Sequence, residues 1–147
     1  KLVYKWWDEL ISIVRKINDE KKVERGRDGE RKSFEYEVSK LKKMRSNKKP
    51  YWASLDNNLV GYDIESWDEK NNKIFIEAKS SGHSDGTFFL TRNEWNTALE
   101  KKDAYFIHIW IKDEITPNFL NFKKLYSKKF IIKDAESAEW TNIKITP

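Results

Sequence analysis

The chain of 147 residues contains no cysteine, so disulfides and thiolate metal sites are excluded. Only two histidines are present, His83 and His108, too few for the usual zinc sites, so any metal site must rest on carboxylates. Five glycines and three prolines are spread too thinly to build a glycine-rich phosphate loop. No Ser/His/Asp constellation and no internal repeat stands out. No apolar run approaches membrane-spanning length, and no basic-then-apolar signal opens the chain, so it reads as soluble and cytoplasmic with no membrane partner. The first residue is Lys1 rather than Met and a helical pattern begins at once, which reads as a piece cut from a larger protein.

Aromatic residues make up 14% of the chain, enough to argue for a packed core although 36% of the residues are charged. The length fits one domain with a helical extension. The net charge of +5 favours a polyanionic partner. Residues 40–49 hold six Lys or Arg and no acid, and residues 123–133 hold five lysines and no acid. Either run suits a phosphate backbone, with Lys42, Lys43 and Arg45 as candidate contacts. Either also reads as a solvated helix end or loop.

The most informative stretch is 74–80, Ile-Phe-Ile-Glu-Ala-Lys-Ser. In a strand, Ile74, Ile76 and Ala78 share one face, while Phe75, Glu77 and Lys79 share the other. An acid and an amine are thereby fixed on a half-apolar strand, where charge is costly unless it is paired or holds an ion. Asp63 alternates with Tyr62 and Ile64 in the preceding strand, and the turn-rich 68–72 reverses the chain. With Trp67 and Lys73 flanking that turn, Asp63 and Glu77 fall at matching depths on an antiparallel hairpin. Two carboxylates and a neighbouring amine suit Mg²⁺, which keeps several waters and takes up phosphate oxygens.

Helical spacing of Trp6, Leu10, Ile13 or Val14, and Ile17 predicts an amphipathic helix over 1–20, followed by a polar connection over 18–27. A boundary near residue 25 divides 1–25, a helical extension or linker, from a domain over 26–147. A second helix is expected to start with Asp28 as its cap and to bury Phe34, Val38 and Leu41. Glu30 and Glu37 fall on or beside that stripe. Strands are expected at 51–55, 60–67, 74–80, 87–90 and 104–111, the last covered on both faces, with His108 a hydrogen-bonded core residue. Thr91 and Glu94 form a capping box opening a helix to about residue 101. Ser80, Ser81, His83 and Arg92 stand near the strand end as candidate phosphate or base contacts. A short helix or turn near 119–126 and strands at 129–132 and 140–145 complete the pattern.

Asp63 followed after a hairpin by Glu77-x-Lys79 resembles the PD-(D/E)xK nuclease motif. The ordered blocks Gly29-Glu30, Gly61-Tyr62-Asp63-Ile64, Ile76-Glu77-Ala78-Lys79-Ser80, Phe88-Phe89-Leu90-Thr91-Arg92-Asn93-Glu94-Trp95 and Ala104-Tyr105-Phe106 resemble the domain at the C terminus of the plant NO VEIN protein. That domain also occurs in bacterial restriction and helicase-linked proteins. The resemblance covers roughly residues 26–111, and Ala78 stands where the commonest family form has Val.

The resemblance implies an α/β (α+β) fold with a restriction-endonuclease-like core, a central mixed β-sheet of four to five strands flanked by helices, and the amphipathic helix in front. It implies that Asp63 and Glu77 bind Mg²⁺, or Mn²⁺ in its place, and that Lys79 assists the attacking water. It points to Glu30 as the helix-borne acid that completes the site, with Glu37 the nearby alternative. The expected activity is metal-dependent DNA endonuclease action in a restriction or defence protein, with a fused or associated DNA-recognition or helicase/ATPase domain. Cutting both strands calls for a homodimer. Two other readings remain open: a non-catalytic module binding nucleic acid or a partner through the same sheet, and a buried structural ion network.

Overall fold

The computed structural model describes residues 2–127 and 142–147. One long helix, α1 (Leu2–Lys43), is followed by β1 (Tyr51–Trp52), a short helix α2 (Ala53–Asp56), β2 (Ile64–Trp67), β3 (Lys73–Ser81) and β4 (Phe88–Thr91). Helix α3 (Arg92–Lys101), β5 (Tyr105–Ile111), β6 (Asn118–Asn121), α4 (Phe122–Ser127) and β7 (Asn142–Ile145) complete the order. Five strands form a mixed sheet in the order β1-β2-β3-β5-β6, and β4 pairs with β7 in a separate two-stranded ribbon. The mixed sheet, the flanking helices and the N-terminal helix agree with the architecture expected from the sequence.

The β2–β3 hairpin has the expected register, with Trp67 opposite Lys73 and Ile64 opposite Ile76. Strand β5 runs parallel to β3 and has β6 on its other side, so it is an interior strand as anticipated. The larger core lies between the sheet and the α3, α4 and β4–β7 layer, where Tyr105, Ile107 and Ile109 meet Leu90, Trp95, Ala98 and Leu125. A smaller cluster of Ile64, Ile74 and Ile76, with Phe34 and Trp52 beside it, lies on the opposite side. The carboxylate-bearing face of β3 therefore looks into the larger core.

Three local expectations are corrected. The polar stretch 18–27 is helical, and α1 runs through it without the connection that its lack of apolar period suggested. Good helix formers dominate there, and ion pairs one turn apart, such as Arg27 with Glu30, support the run. Asp28 consequently caps nothing; it sits inside the helix and pairs with Arg31 and Lys32. The buried stripe of α1 is Gly29, Ser33, Glu37 and Leu41 rather than Phe34, Val38 and Leu41, and Val38 is exposed. Polar groups on the facing strands explain the shift: Ser33 Oγ lies 3.2 Å from His108 Nδ1 and accepts from Trp110 Nε1 at 2.8 Å. The third correction concerns 51–55, where a two-residue strand gives way at once to α2. The strand expected at 129–132 lies outside the described residues.

Gly26 provides a check on helix continuity, since a Cβ added there meets nothing within 4 Å. Gly26→Ala is expected to stabilise the protein by about 0.5–1 kcal/mol, the usual helix-interior difference. Urea titrations of the two proteins would measure it. A chain with a flexible connection at this point would show no gain.

Candidate metal and phosphate site

Beyond Ile76, β3 keeps β5 on one side, while β2 has ended on the other. The last pairing on that side is Asp63 N donating to Ile76 O at 2.8 Å. The next amide of β3 on that edge, Ala78 N, donates to Asp63 Oδ2 at 2.8 Å. Asp63 thus replaces a missing strand partner with its side chain, and its backbone register sets it beside Glu77. The fork between the two strands is where the charged groups collect.

Lys79 Nζ lies 3.1 Å from Glu77 Oε1 and 2.7 Å from Glu94 Oε2. Glu94 is the third helical residue of α3, and its Oε2 also accepts from Thr91 N at 2.9 Å while Thr91 Oγ1 caps Glu94 N. The predicted capping box is therefore present, and the same carboxylate that completes it anchors the lysine. Sequence reasoning assigned Glu94 only to the cap. Its second role comes from the return of α3 over β3, which places Glu94 against Lys79 and leaves no mark in local spacing.

Glu30 enters from α1. Its Oε2 accepts from Trp52 Nε1 at 2.9 Å and Ser54 Oγ at 2.8 Å, and Arg27 contacts the same oxygen at 2.9 Å. It is positioned mid-helix rather than at a helix start. Glu37, the alternative acid, lies two turns farther along α1. It accepts from Ser66 Oγ at 2.6 Å and pairs with Lys40, with His108 Nε2 3.7 Å away. It lines a different pocket, so Glu30 is the helix-borne acid that shares the Asp63 cleft. His108 is a core residue, as expected; burial, and then the nearby Lys40 charge, hold its pKa down to about 3.

Three carboxylates, Asp63, Glu77 and Glu94, thus gather at Lys79, and Glu30, paired with Arg27, lines the same cleft. Burial, then the Glu30 charge, push Asp63 up to about 7 against the opposing Ala78 hydrogen bond. Burial pushes Glu77 well above the usual carboxylate range, with Lys79 opposing and Asp63 adding to the shift. Burial works against the charge on Lys79 as well, but Glu77 and Glu94 outweigh it and hold the ammonium more firmly protonated than usual. Lys79 is a fixed cation. With Asp63, Glu77 and Glu94 all ionised, two negative charges would be left over against Lys79; that cost is what raises Asp63 and Glu77, and a divalent cation would offset it.

The donor set fits a hard cation with few protein ligands. Among the described residues no group of three acidic or imidazole side chains is arranged to hold a metal ion, so an ion here would have one or two protein carboxylates. That suits Mg²⁺, which usually binds one or two carboxylates and completes its octahedron with water and substrate oxygens. Asp63 and Glu77, both lining the cleft, are the carboxylates that could hold such an ion, with Glu30 a further acid on the same lining.

The cleft over this cluster measures about 820 Å³, and its lining includes Lys22, Arg25, Arg27, Ser80, His83, Phe89 and Asn142 besides the four acids and Lys79. Of the candidate phosphate contacts, Ser80 and His83 line this cleft, and Ser80 Oγ donates to Arg25 O at 3.0 Å. Ser81 turns away, donating to Thr87 O at 2.7 Å. Lys42, Lys43, Arg45 and Arg92 do not line the cleft. The basic rim comes instead from Lys22, Arg25 and Arg27, in the stretch read from sequence as a connection. Continuing the helix through 18–27 would have revealed them, because residues 22, 25 and 29 then share a face and Gly29 packs on Ser80.

A family model described as protein NO VEIN, C-terminal, matches residues 29–125. No curated protein and no solved structure matches the chain.

Proposed function

The chain belongs to the family of the NO VEIN C-terminal domain, and we propose that it is a metal-dependent DNA endonuclease of PD-(D/E)xK type, the cleavage domain of a restriction or defence protein. The observation that carries this reading is the excess of buried carboxylate around a single pinned lysine at the strand fork. A structural ion network would balance its charges, and a phosphate-binding module gains nothing from four acids in its cleft.

In this reading Asp63 and Glu77 hold Mg²⁺ or Mn²⁺. When bound, the cation supplies positive charge at the scissile phosphate and lowers the pKa of water. Lys79 is held by Glu77 and Glu94 at the cleft wall, with its proton retained, so it orients water and offsets charge on the phosphate rather than acting as the base. Glu30, fixed by Trp52 and Ser54, adds negative potential behind Asp63 and strengthens its grip on a cation. Lys22, Arg25 and Arg27 line the mouth where a phosphate backbone would approach. DNA is the proposed substrate, with a recognition or helicase/ATPase domain supplying specificity and a second copy needed to cut both strands.

Plasmid DNA incubated with the protein and Mg²⁺ or Mn²⁺ is expected to be nicked or linearised, with no reaction in EDTA. Asp63→Ala and Lys79→Ala are each expected to reduce the rate by about 10²–10³-fold, the scale of losing one electrostatic contributor. Unaltered cleavage in either variant contradicts the assignment. Absence of cleavage by the intact protein, with DNA still bound equally by all three proteins, contradicts catalysis by this domain.

A further inference from the structure

From residue 3 to residue 25, every residue of α1 is exposed except the half-buried Leu10. The sheet packs only against the second half of the helix. Along the free half, Val3, Trp6, Leu10, Ile13 and Ile17 follow the alternating three-and-four spacing of a coiled-coil seam. Trp6 and Ile13 each expose 56% of their surface, far more than large apolar residues facing a folded domain. Trp7 and Val14 flank the seam on one side, and Glu9 and Lys16 flank it on the other. Asp8, Arg15 and Lys22 occupy the opposite face.

We propose that two copies of this chain pair antiparallel through this half of α1, about a two-fold axis passing between residues 11 and 12. In that register Leu10 packs on Ile13 of the second copy and Trp6 on Ile17, with Trp7 against Val14. Glu9 then faces Lys16 of the second copy, and by symmetry Lys16 faces Glu9, so both flanking charges are matched. Parallel pairing would instead set Glu9 against Val14 and bring Lys16 beside Lys21, a like-charge contact. The charge pattern is complementary to its own reverse and not to its own parallel copy.

The apolar contacts of this pairing run from Trp6 to Ile17, with Val3 opposite Glu20 at their end, and do not include Lys22 or Arg25, which line the cleft. At the helical rise per residue, the two Glu30 positions stand roughly 55 Å apart along the axis. This pairing does not rest on the nuclease reading and does not bring two sites onto adjacent phosphates. If both clefts cut one duplex, the nicks would fall roughly 16 base pairs apart.

Sedimentation equilibrium of the intact chain tests the pairing, with circular dichroism confirming that each variant is folded. The wild-type protein is expected to be a dimer, and Leu10→Glu a monomer. Glu9→Lys and Lys16→Glu are each expected to weaken the dimer by about tenfold, since each turns two attractive pairs repulsive. Combining the two substitutions restores opposite charges and is expected to return the affinity close to wild type. A wild-type monomer at roughly 100 µM, well above ordinary specific-dimer affinities, would overturn the proposal. So would a combined variant no tighter than the single ones.

Discussion

Asp63→Asn is expected to make the metal-free protein more stable at pH 8, by roughly 2–4 kcal/mol or about 5–10 °C in melting temperature. In the unfolded chain Asp63 ionises near its ordinary value, whereas in the folded protein burial and Glu30 raise it to about 7. Between those values the folded state holds more protons than the unfolded one, so stability falls as pH rises through that window. Glu77 shifts in the same direction. Asparagine keeps an oxygen to accept from Ala78 N and carries no charge to bury. Below about pH 4, where Asp63 is protonated in both states, the gain should disappear. Thermal melts in EDTA at pH 4 and pH 8 measure the difference. Equal stability of the two proteins at pH 8 would mean that the buried acid is already compensated by charges within the chain.

Gly61→Ala should produce the opposite effect, a loss of about 2–4 kcal/mol, a large share of an ordinary domain's stability. Gly61 has a φ of +77°, in the left-handed region that a Cβ makes unfavourable. The added Cβ would also collide with the Thr97 hydroxyl and lie 2.9 Å from Thr97 Cβ and 3.2 Å from Asn93 O on α3. The carbonyl of Gly61 accepts from Tyr105 OH at 3.0 Å, tying this turn to β5 only two residues before Asp63. Gly86 offers the comparison, with nearly the same φ of +76° but nothing nearer than 3.4 Å to an added Cβ. Gly86→Ala should therefore cost about 1–2 kcal/mol, the backbone contribution without the collision. Urea unfolding of both variants separates the two causes, and equal losses would contradict a tight approach of α3 at Gly61.

Period and turn chemistry made most of the sheet legible. The alternation across 74–80 and the polar turn at 68–72 fixed the hairpin register, because a one-residue slip would move Glu77 and Lys79 onto the α1 face. The capping box at Thr91 likewise located α3 from local chemistry alone. Helix α1 was misread because apolar period disappears over 18–27, where the helix touches no core and is sustained by propensity and surface pairs. Without helical continuity Lys22 and Arg25 share no face with Gly29, and the run after residue 40 stands as the denser basic stretch. The second role of Glu94 depends on the angle at which α3 returns over β3, a tertiary relation with no signature in local spacing. The buried polar stripe of Ser33 and Glu37 is similar, since only the strand partners His108, Trp110 and Ser66 explain why those residues face inward.

The central claim is that the acids at the strand fork form a cation site, and direct Mn²⁺ binding tests it without any choice of DNA. Electron paramagnetic resonance titration at pH 8 should show one tightly bound ion per chain in the wild-type protein, with that site lost in Glu77→Gln and in Asp63→Asn. Mn²⁺ that remains free, or binding undiminished by both substitutions, would contradict the account.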